Sequence, residues 1–361
     1  MTDRWTNREQ VYFNADNCFT LNEPLGIKAL TFTWMPSWWK RNYGIAMGKR
    51  YVLDPDYRVD ASMRMERAVA ARFPMMCIGN EHAQPAPIPP NWINATTAAA
   101  AGASVIYSDD NYPATMPLPP ETLDKLAPPE HIEDIFPYDE TIRQVAYMNA
   151  RFGTDMRPHL FKNGFANDSI QLMGHQAMTE AMDDSPRFHH LLDYSMSMWK
   201  LALAYNFTKG SMPPIFMLLN CAAPLFGPDL YEKFFFHSDL EVIQALCDHG
   251  QRFMLHHCGH FDNFIPLYRQ IPHADMIQIG HTSDPAKALE AFPEADVEYV
   301  VSPYEALRFS KEEMRKKTMR TLEAARGQEH RFSIVAADLE IGTPDENLVE
   351  IYRCCKEWAS S

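Results

Sequence analysis

From residue 214 onward the chain alternates short apolar runs with helix-patterned stretches, and this alternation constrains the fold most. Pro214-Ile-Phe-Met-Leu-Leu219, Arg252-Phe-Met-Leu-His256, Asp275-Met-Ile-Gln-Ile-Gly280, Val297-Glu-Tyr-Val-Val301 and Phe332-Ser-Ile-Val-Ala336 read as buried strands. Helical patterns lie around them, near Ser169–Met182, near Pro186–Tyr205, from Pro228 to His249 and from Ser310 to near Gly327. Strands joined through helices must run parallel, because a helix carries the chain back to the starting edge. The count closes better as a ring than as an open sheet, so the expected fold is α/β, a (β/α)8 TIM barrel. A chain of 361 residues suits one such domain over residues 1–361, with an N-terminal extension and a Pro-rich insertion.

The first half is less regular. Asn7 to Asn14 predicts a short helix, Lys28–Trp34 a first strand, and Met35-Pro-Ser-Trp-Trp-Lys-Arg41 an aromatic loop at the barrel mouth. Helical spacing over Asp56–Arg72 leads to a second strand, Pro74–Gly79, which ends in Asn80-Glu81-His82. Ser104–Asp110 is another extended run. Prolines 113, 117, 119, 120, 128 and 129 then exclude a regular helix or central strand in an excursion reaching Pro137. Two helix starts carry capping-box spacing, Ser310 with Glu313 and Thr343 with Glu346, the latter with Pro344 at the first helical position.

Charge and composition narrow the function classes. A formal charge of −14 argues against nucleic acid or an anionic membrane as partner. No apolar run approaches the ~18 residues needed to span a bilayer, and no signal-peptide core follows Met1, so a cytoplasmic location is expected. Seven cysteines without such a signal read as reduced thiols. No Gly-rich phosphate loop of the Walker or dinucleotide kind is present.

The chemistry gathers at strand ends. His256 and Cys258 are two apart, so on an extended strand they leave by one face while His257 points the other way. An imidazole and a thiolate at a barrel rim suit zinc. A core cysteine beside partly exposed histidines is the plainer alternative, and a site without metal stays open. Asn220 and Cys221 end the preceding strand, His281 follows Gly280, and Asp338 and Glu340 follow the last strand; a closed barrel would bring them to one face. Metal ligands are expected in His256, Cys258, Cys221 and Asp338, with Cys221 and Asp338 ranked equal as third donor. Catalytic candidates are Asn220, His257 and His281. Trp34 and Trp38 could wall an apolar pocket, and Glu81 and His82 sit where loops carry chemistry.

The Leu255-His-His-Cys-Gly259 run resembles the HxCG motif of the uroporphyrinogen decarboxylase superfamily, in its zinc-dependent, corrinoid-linked methyltransferase branch. Leu219-Asn-Cys-Ala-Ala-Pro-Leu-Phe-Gly-Pro-Asp-Leu-Tyr231 is similar to that superfamily's strand and following helix start, and Thr343-Pro-Asp-Glu-Asn347 to its T-P-x-E-N turn. Tyr43-Gly-Ile-Ala-Met-Gly-Lys-Arg-Tyr-Val-Leu-Asp-Pro-Asp-Tyr-Arg58 is similar to segments of related demethylases. The Arg-rich segment that holds substrate carboxylates in the porphyrinogen decarboxylases is missing. In the coenzyme M methyltransferases a final-strand cysteine is the third ligand; here Ala336-Ala-Asp-Leu-Glu340 stands in its place. The resemblance implies Zn2+ and a demethylase that moves a methyl group from a small methoxylated, aromatic compound to a corrinoid (cobalamin). With no DxHxxG signature in the chain, the corrinoid would sit on a partner corrinoid protein. The alternatives are a metal-independent decarboxylase (lyase) for a smaller substrate, and a non-catalytic corrinoid-protein partner.

Overall fold

The computed structural model describes residues 17–21, 25–92 and 94–360. The helix expected over Asn7–Asn14 lies outside them. Among the described residues there are nine strands: β1 (Cys18–Thr20), β2 (Ala29–Trp34), β3 (Val105–Ile106), β4 (Ala114–Thr115), β5 (Phe216–Leu219), β6 (Phe253–His257), β7 (Met276–Ile279), β8 (Asp296–Val301) and β9 (Phe332–Leu339). Seven of them form one sheet in the order β1-β2-β9-β8-β7-β6-β5, parallel throughout except for β1 on β2. Every residue of β7 and β8 is buried, as expected of central parallel strands covered on both faces.

The sheet is curled into part of a ring, and among the described residues no ladder joins β5 to β1 or β2. The α/β fold is thus a curled, seven-stranded half-barrel among the described residues, consistent with the expected TIM-like barrel. Pro74–Gly79 forms no strand: its Met75–Cys77 core is a succession of turns, and Cys77 takes a left-handed φ of 49°. Arg157–Gly164 passes the open side of β5 as irregular chain, touching it where the Gly164 N–H donates to the Leu219 carbonyl at 3.0 Å. Of the Ser104–Asp110 run only Val105–Ile106 pairs, in a separate hairpin with β4. In the Pro-rich stretch a single turn, Pro120–Leu123, is α-helical and begins at a proline, where no N–H is needed.

Helix boundaries follow local chemistry. The pattern over Ser169–Met182 is two helices, Phe165–Met173 and Gln176–Met182, parted at Gly174. The Pro228–His249 pattern begins earlier, at Ala223, and bends at Gly227-Pro228 before a π turn over Glu232–Phe236 and a helix to Asp248. Ser310 and Glu313 close the reciprocal capping box. The box expected at Thr343 does not form: Pro344 is the cap residue itself, and the buried Thr343 hydroxyl has no partner. Asn347 secures that turn instead, donating to the carbonyls of Ala306 and Phe309.

The segment after β2 is a helix, Pro36–Tyr43, and not an aromatic loop. Trp34, Trp38 and Trp39 are buried in the core, Trp38 with 1% of its surface accessible. Trp38 lies 5.1 Å from Trp34 and edge-on to Trp39 at 4.9 Å, with the Arg72 guanidinium above its ring. Among the described residues no helix is long and apolar enough to cross a membrane. A Trp38→Ala protein should lose ~3–5 kcal/mol of stability through the cavity left in this cluster, read as an earlier urea unfolding midpoint.

Candidate metal centre

The parallel register of β5 on β6 pairs Leu219 with His256, and the Asn220 N–H donates to the His256 carbonyl at 2.9 Å. Two residues beyond each partner come Cys221 and Cys258, so the register that sets the strands also sets the thiols side by side. One donor atom from each of Cys221, His256 and Cys258 lies within 4.8 Å of the others. The Gly280 backbone closes in from β7. A Cβ there would sit 2.1 Å from the Cys258 carbonyl oxygen and 2.3 Å from that of Gly259, so only glycine permits this approach.

The three groups interact electrostatically. A hydrogen bond with Cys258 lowers the Cys221 pKa, overcoming burial, with Asn167 assisting. The same contact, together with burial, holds the Cys258 thiol well above the usual range. Burial works against a charged His256, but Cys258, Gln278 and Asp338 raise its pKa overall. Two thiols and an imidazole are the Cys2His set known for catalytic zinc, with a fourth position left to water or substrate. On this test the residues fit zinc.

Cys221 and His256 line a cavity of about 1350 Å3 whose wall also carries Asp338, Glu340, Glu66 and Asn167. Asp338 arrives there by a bulge: Phe32 pairs with Ala336 but Trp34 pairs with Leu339, so β9 has one residue more than β2. Asp338 takes the left-handed conformation, φ 53°, and its N–H donates to Thr33 Oγ1 at 2.9 Å. Its carboxyl is reached by water from the cavity yet largely enclosed by protein. That enclosure raises its pKa, with His256 opposing and Glu340 adding.

The structure thus brings together His256, Cys258 and Cys221, with Asp338 on the cavity wall outside the trio. Other expected site residues stand elsewhere. His257 points away from the cavity into a buried aromatic layer. There its Nδ1 lies 2.9 Å from Tyr268 Oη, and burial pushes its pKa down to about 3. Asn220 is buried and donates to Tyr231 Oη at 2.8 Å and to Asp239 at 2.9 Å. His281 does not line the cavity; its carbonyl accepts from Tyr299 and Lys317. Trp34 and Trp38 are corrected from cavity wall to core. Glu81 and His82 are corrected to surface: they pair with each other at 3.2 Å and their side chains are 76% and 85% exposed.

Asn220 and His257 brace the site from behind. Tyr231 donates to Asp239 and also contacts Tyr268, which reaches His257, forming one buried polar chain under the ends of β5 and β6. Burial pushes Asp239 up to about 7, against the hydrogen bonds of Tyr231 and Asn220. Sequence reasoning missed two buried polar groups, Gln278 on β7, which lines the cavity, and its register partner Glu298 on β8. Their signal was a polar residue inside an otherwise apolar strand.

The family description for uroporphyrinogen decarboxylase (URO-D) matches residues 92–358. The chain belongs to that family. A solved structure described as a methyltransferase from Methanosarcina mazei superimposes with a TM-score of 0.61 at 13% sequence identity, covering 90% of this chain and 91% of the other. That likeness is one of fold. Among curated proteins no sequence matches.

Gly280→Ala should weaken zinc binding by at least ~10-fold, in the range for lost support of a metal ligand, as read by competition with a chromophoric chelator. Asp239 predicts a pH effect. A carboxyl with a raised folded pKa contributes stability that is whole below its unfolded value, 3.8, and is lost as pH rises through about 7. The stability of Asp239→Asn relative to the natural chain should therefore grow by about 4 kcal/mol between about pH 4 and about pH 8, measured by urea unfolding at each pH.

Proposed function

We propose that this member of the uroporphyrinogen decarboxylase family is a zinc-dependent methyltransferase that demethylates a methoxylated, aromatic compound and passes the methyl group to a corrinoid on a partner protein. The observation that carries the reading is the Cys221, His256 and Cys258 trio, drawn from two adjacent strand ends, two of whose members, Cys221 and His256, line a large cavity. Bound there, zinc would supply Lewis acidity toward the oxygen that loses its methyl group, a role a Cys2His zinc plays toward alcohol oxygens.

The chain's own residues do the rest. Cys221, His256 and Cys258 would hold the metal. Asp338 is the acid group placed to give a proton to the departing oxygen, which keeps its bonding pair when the methyl carbon leaves. The methyl carbon is taken up by the electron pair of the partner's cob(I)alamin, so charge and atoms balance. Apolar wall residues such as Met35, Val59, Met217 and Leu219 suit a ring and exclude water.

Wall charge favours this reading over decarboxylation of a porphyrin-like polyacid. Among the described lining residues Glu66 and Glu340, beside the protonated Asp338, stand with a single guanidinium, Arg157, which is itself paired with Asp155 at 2.9 Å. A polycarboxylate entering such a site would meet like charge without compensating donors. The donor count also answers the missing final-strand cysteine: Cys221 supplies the second sulfur from the far side of the trio.

The test combines metal analysis with methylcobalamin formation from cob(I)alamin and a panel of aryl methyl ethers. Purified protein should hold about one zinc, and Cys221→Ala and Cys258→Ala should each lose both the metal and turnover. Asp338→Asn should retain zinc while turnover falls by ~10²-fold or more, the usual weight of a general acid. Protein that takes up no zinc, and releases CO2 from a carboxylated substrate, would instead establish the lyase.

A further inference from the structure

Strand register puts three polar side chains in one row across the interior: His256 on β6 pairs with Gln278 on β7, and Gln278 with Glu298 on β8. Gln278 and Glu298 are only 3% and 2% exposed, and their strand neighbours Ile277, Ile279, Val297 and Tyr299 are buried apolar groups. An amide buried without a partner costs ~1–3 kcal/mol, and a buried carboxylate costs more. Volume alone would be filled more cheaply by leucine or methionine.

The orientation of the amide is dictated by what lies on each side of it. Gln278 Nε2 donates to Glu298 Oε2. A carboxylate only accepts, so the reverse orientation would set two oxygens against each other. Gln278 Oε1 is thereby turned away from Glu298, to the side of its register partner His256. It is buried there with no hydrogen-bond partner, so the neighbouring imidazole is the group placed to satisfy it. An oxygen facing one ring nitrogen requires the proton there and leaves the lone pair on the other, which a metal ligand must present.

We infer that Glu298 is a positioning residue that, through the Gln278 amide, selects the His256 tautomer able to bind the metal. Glu298 stands two strands from His256 in the register and acts by polarity passed through Gln278. The inference rests on the zinc reading above and deepens it.

The test measures zinc affinity by chelator competition in the natural chain, Glu298→Gln, Gln278→Met and the double variant, with thermal melts to confirm folding. Each single variant should bind zinc ~10–100-fold more weakly. The double variant should be no weaker than Gln278→Met alone, because Glu298 acts only through that amide. Histidine 15N resonances should show one His256 tautomer in the natural chain and a mixture in Glu298→Gln. If Glu298→Gln does not fold, Glu298→Asp, with the carboxylate withdrawn by one methylene, should show an intermediate loss. Folded single variants that bind zinc as tightly as the natural chain, or strictly additive losses, would overturn the inference while leaving the zinc reading intact. A natural chain that takes up no zinc overturns both.

Discussion

The site depends on the register of two short parallel strands. Side chains on a strand alternate faces, so His256 and Cys258 share one because they are two apart. Nothing in that pleat brings a second sulfur near. Leu219 opposite His256 does so, because each step of two along both strands keeps partners abreast and puts Cys221 beside Cys258. A slip of one residue would turn Cys221 into the buried layer and Asn220 into the cavity. The Asn220 N–H bond to the His256 carbonyl, and Asn220's side-chain bonds to Tyr231 and Asp239, oppose that slip. Asn220 therefore matters to the site although it lines no part of it.

Two polar layers flank the β6 strand end. Toward the cavity lie Gln278 and Glu298; behind it lie His257, Tyr268, Tyr231 and Asp239. Each layer is expensive in a core that otherwise consists of leucine, isoleucine, valine and aromatic groups. Their placement on opposite faces of one strand end explains why both persist. The rear layer fixes backbone position, and the front layer fixes the imidazole that the backbone carries. Metal ligands held on strand ends by hydrogen-bonded neighbours need not reorganise on binding, which is what a preformed site requires.

What the sequence made legible was local and periodic. The strands from residue 214 onward, the face shared by His256 and Cys258, and the capping box at Ser310 all follow from spacing within a few residues. What was illegible depended on pairing across the chain. The equal standing of Cys221 and Asp338 as donors could not be broken without register, which assigns Cys221 to the trio and leaves Asp338 on the wall. Trp34 and Trp38 were placed at a mouth because aromatic residues beside a strand end suit a pocket. Helix Pro36–Tyr43 folds them inward, and no short-range pattern tells a binding tryptophan from a packed one. Pro74–Gly79 had strand composition but folds as a run of turns, and strand propensity alone does not make a strand.

The departures from the family pattern on β9 and β5 are linked through the shape of the interior. Residues Ala336-Ala-Asp-Leu-Glu340 lack the expected cysteine, but the bulge they form turns a carboxyl toward the cavity at the cost of a left-handed aspartate. Such a conformation costs ~1–3 kcal/mol in a residue other than glycine, and the Thr33 hydroxyl offsets part of it by accepting the Asp338 N–H. On the proposed zinc reading the second sulfur would come from β5, which would leave the β9 end free to present an acid. The two changes divide between neighbouring and opposite strands the tasks that a single cysteine cannot combine: charge donation to a cation, and proton donation to what leaves it. A cavity with sulfur on one side and carboxyl on the other suits a leaving oxygen better than a thiol acceptor, since only the oxygen gains from a proton held within the wall.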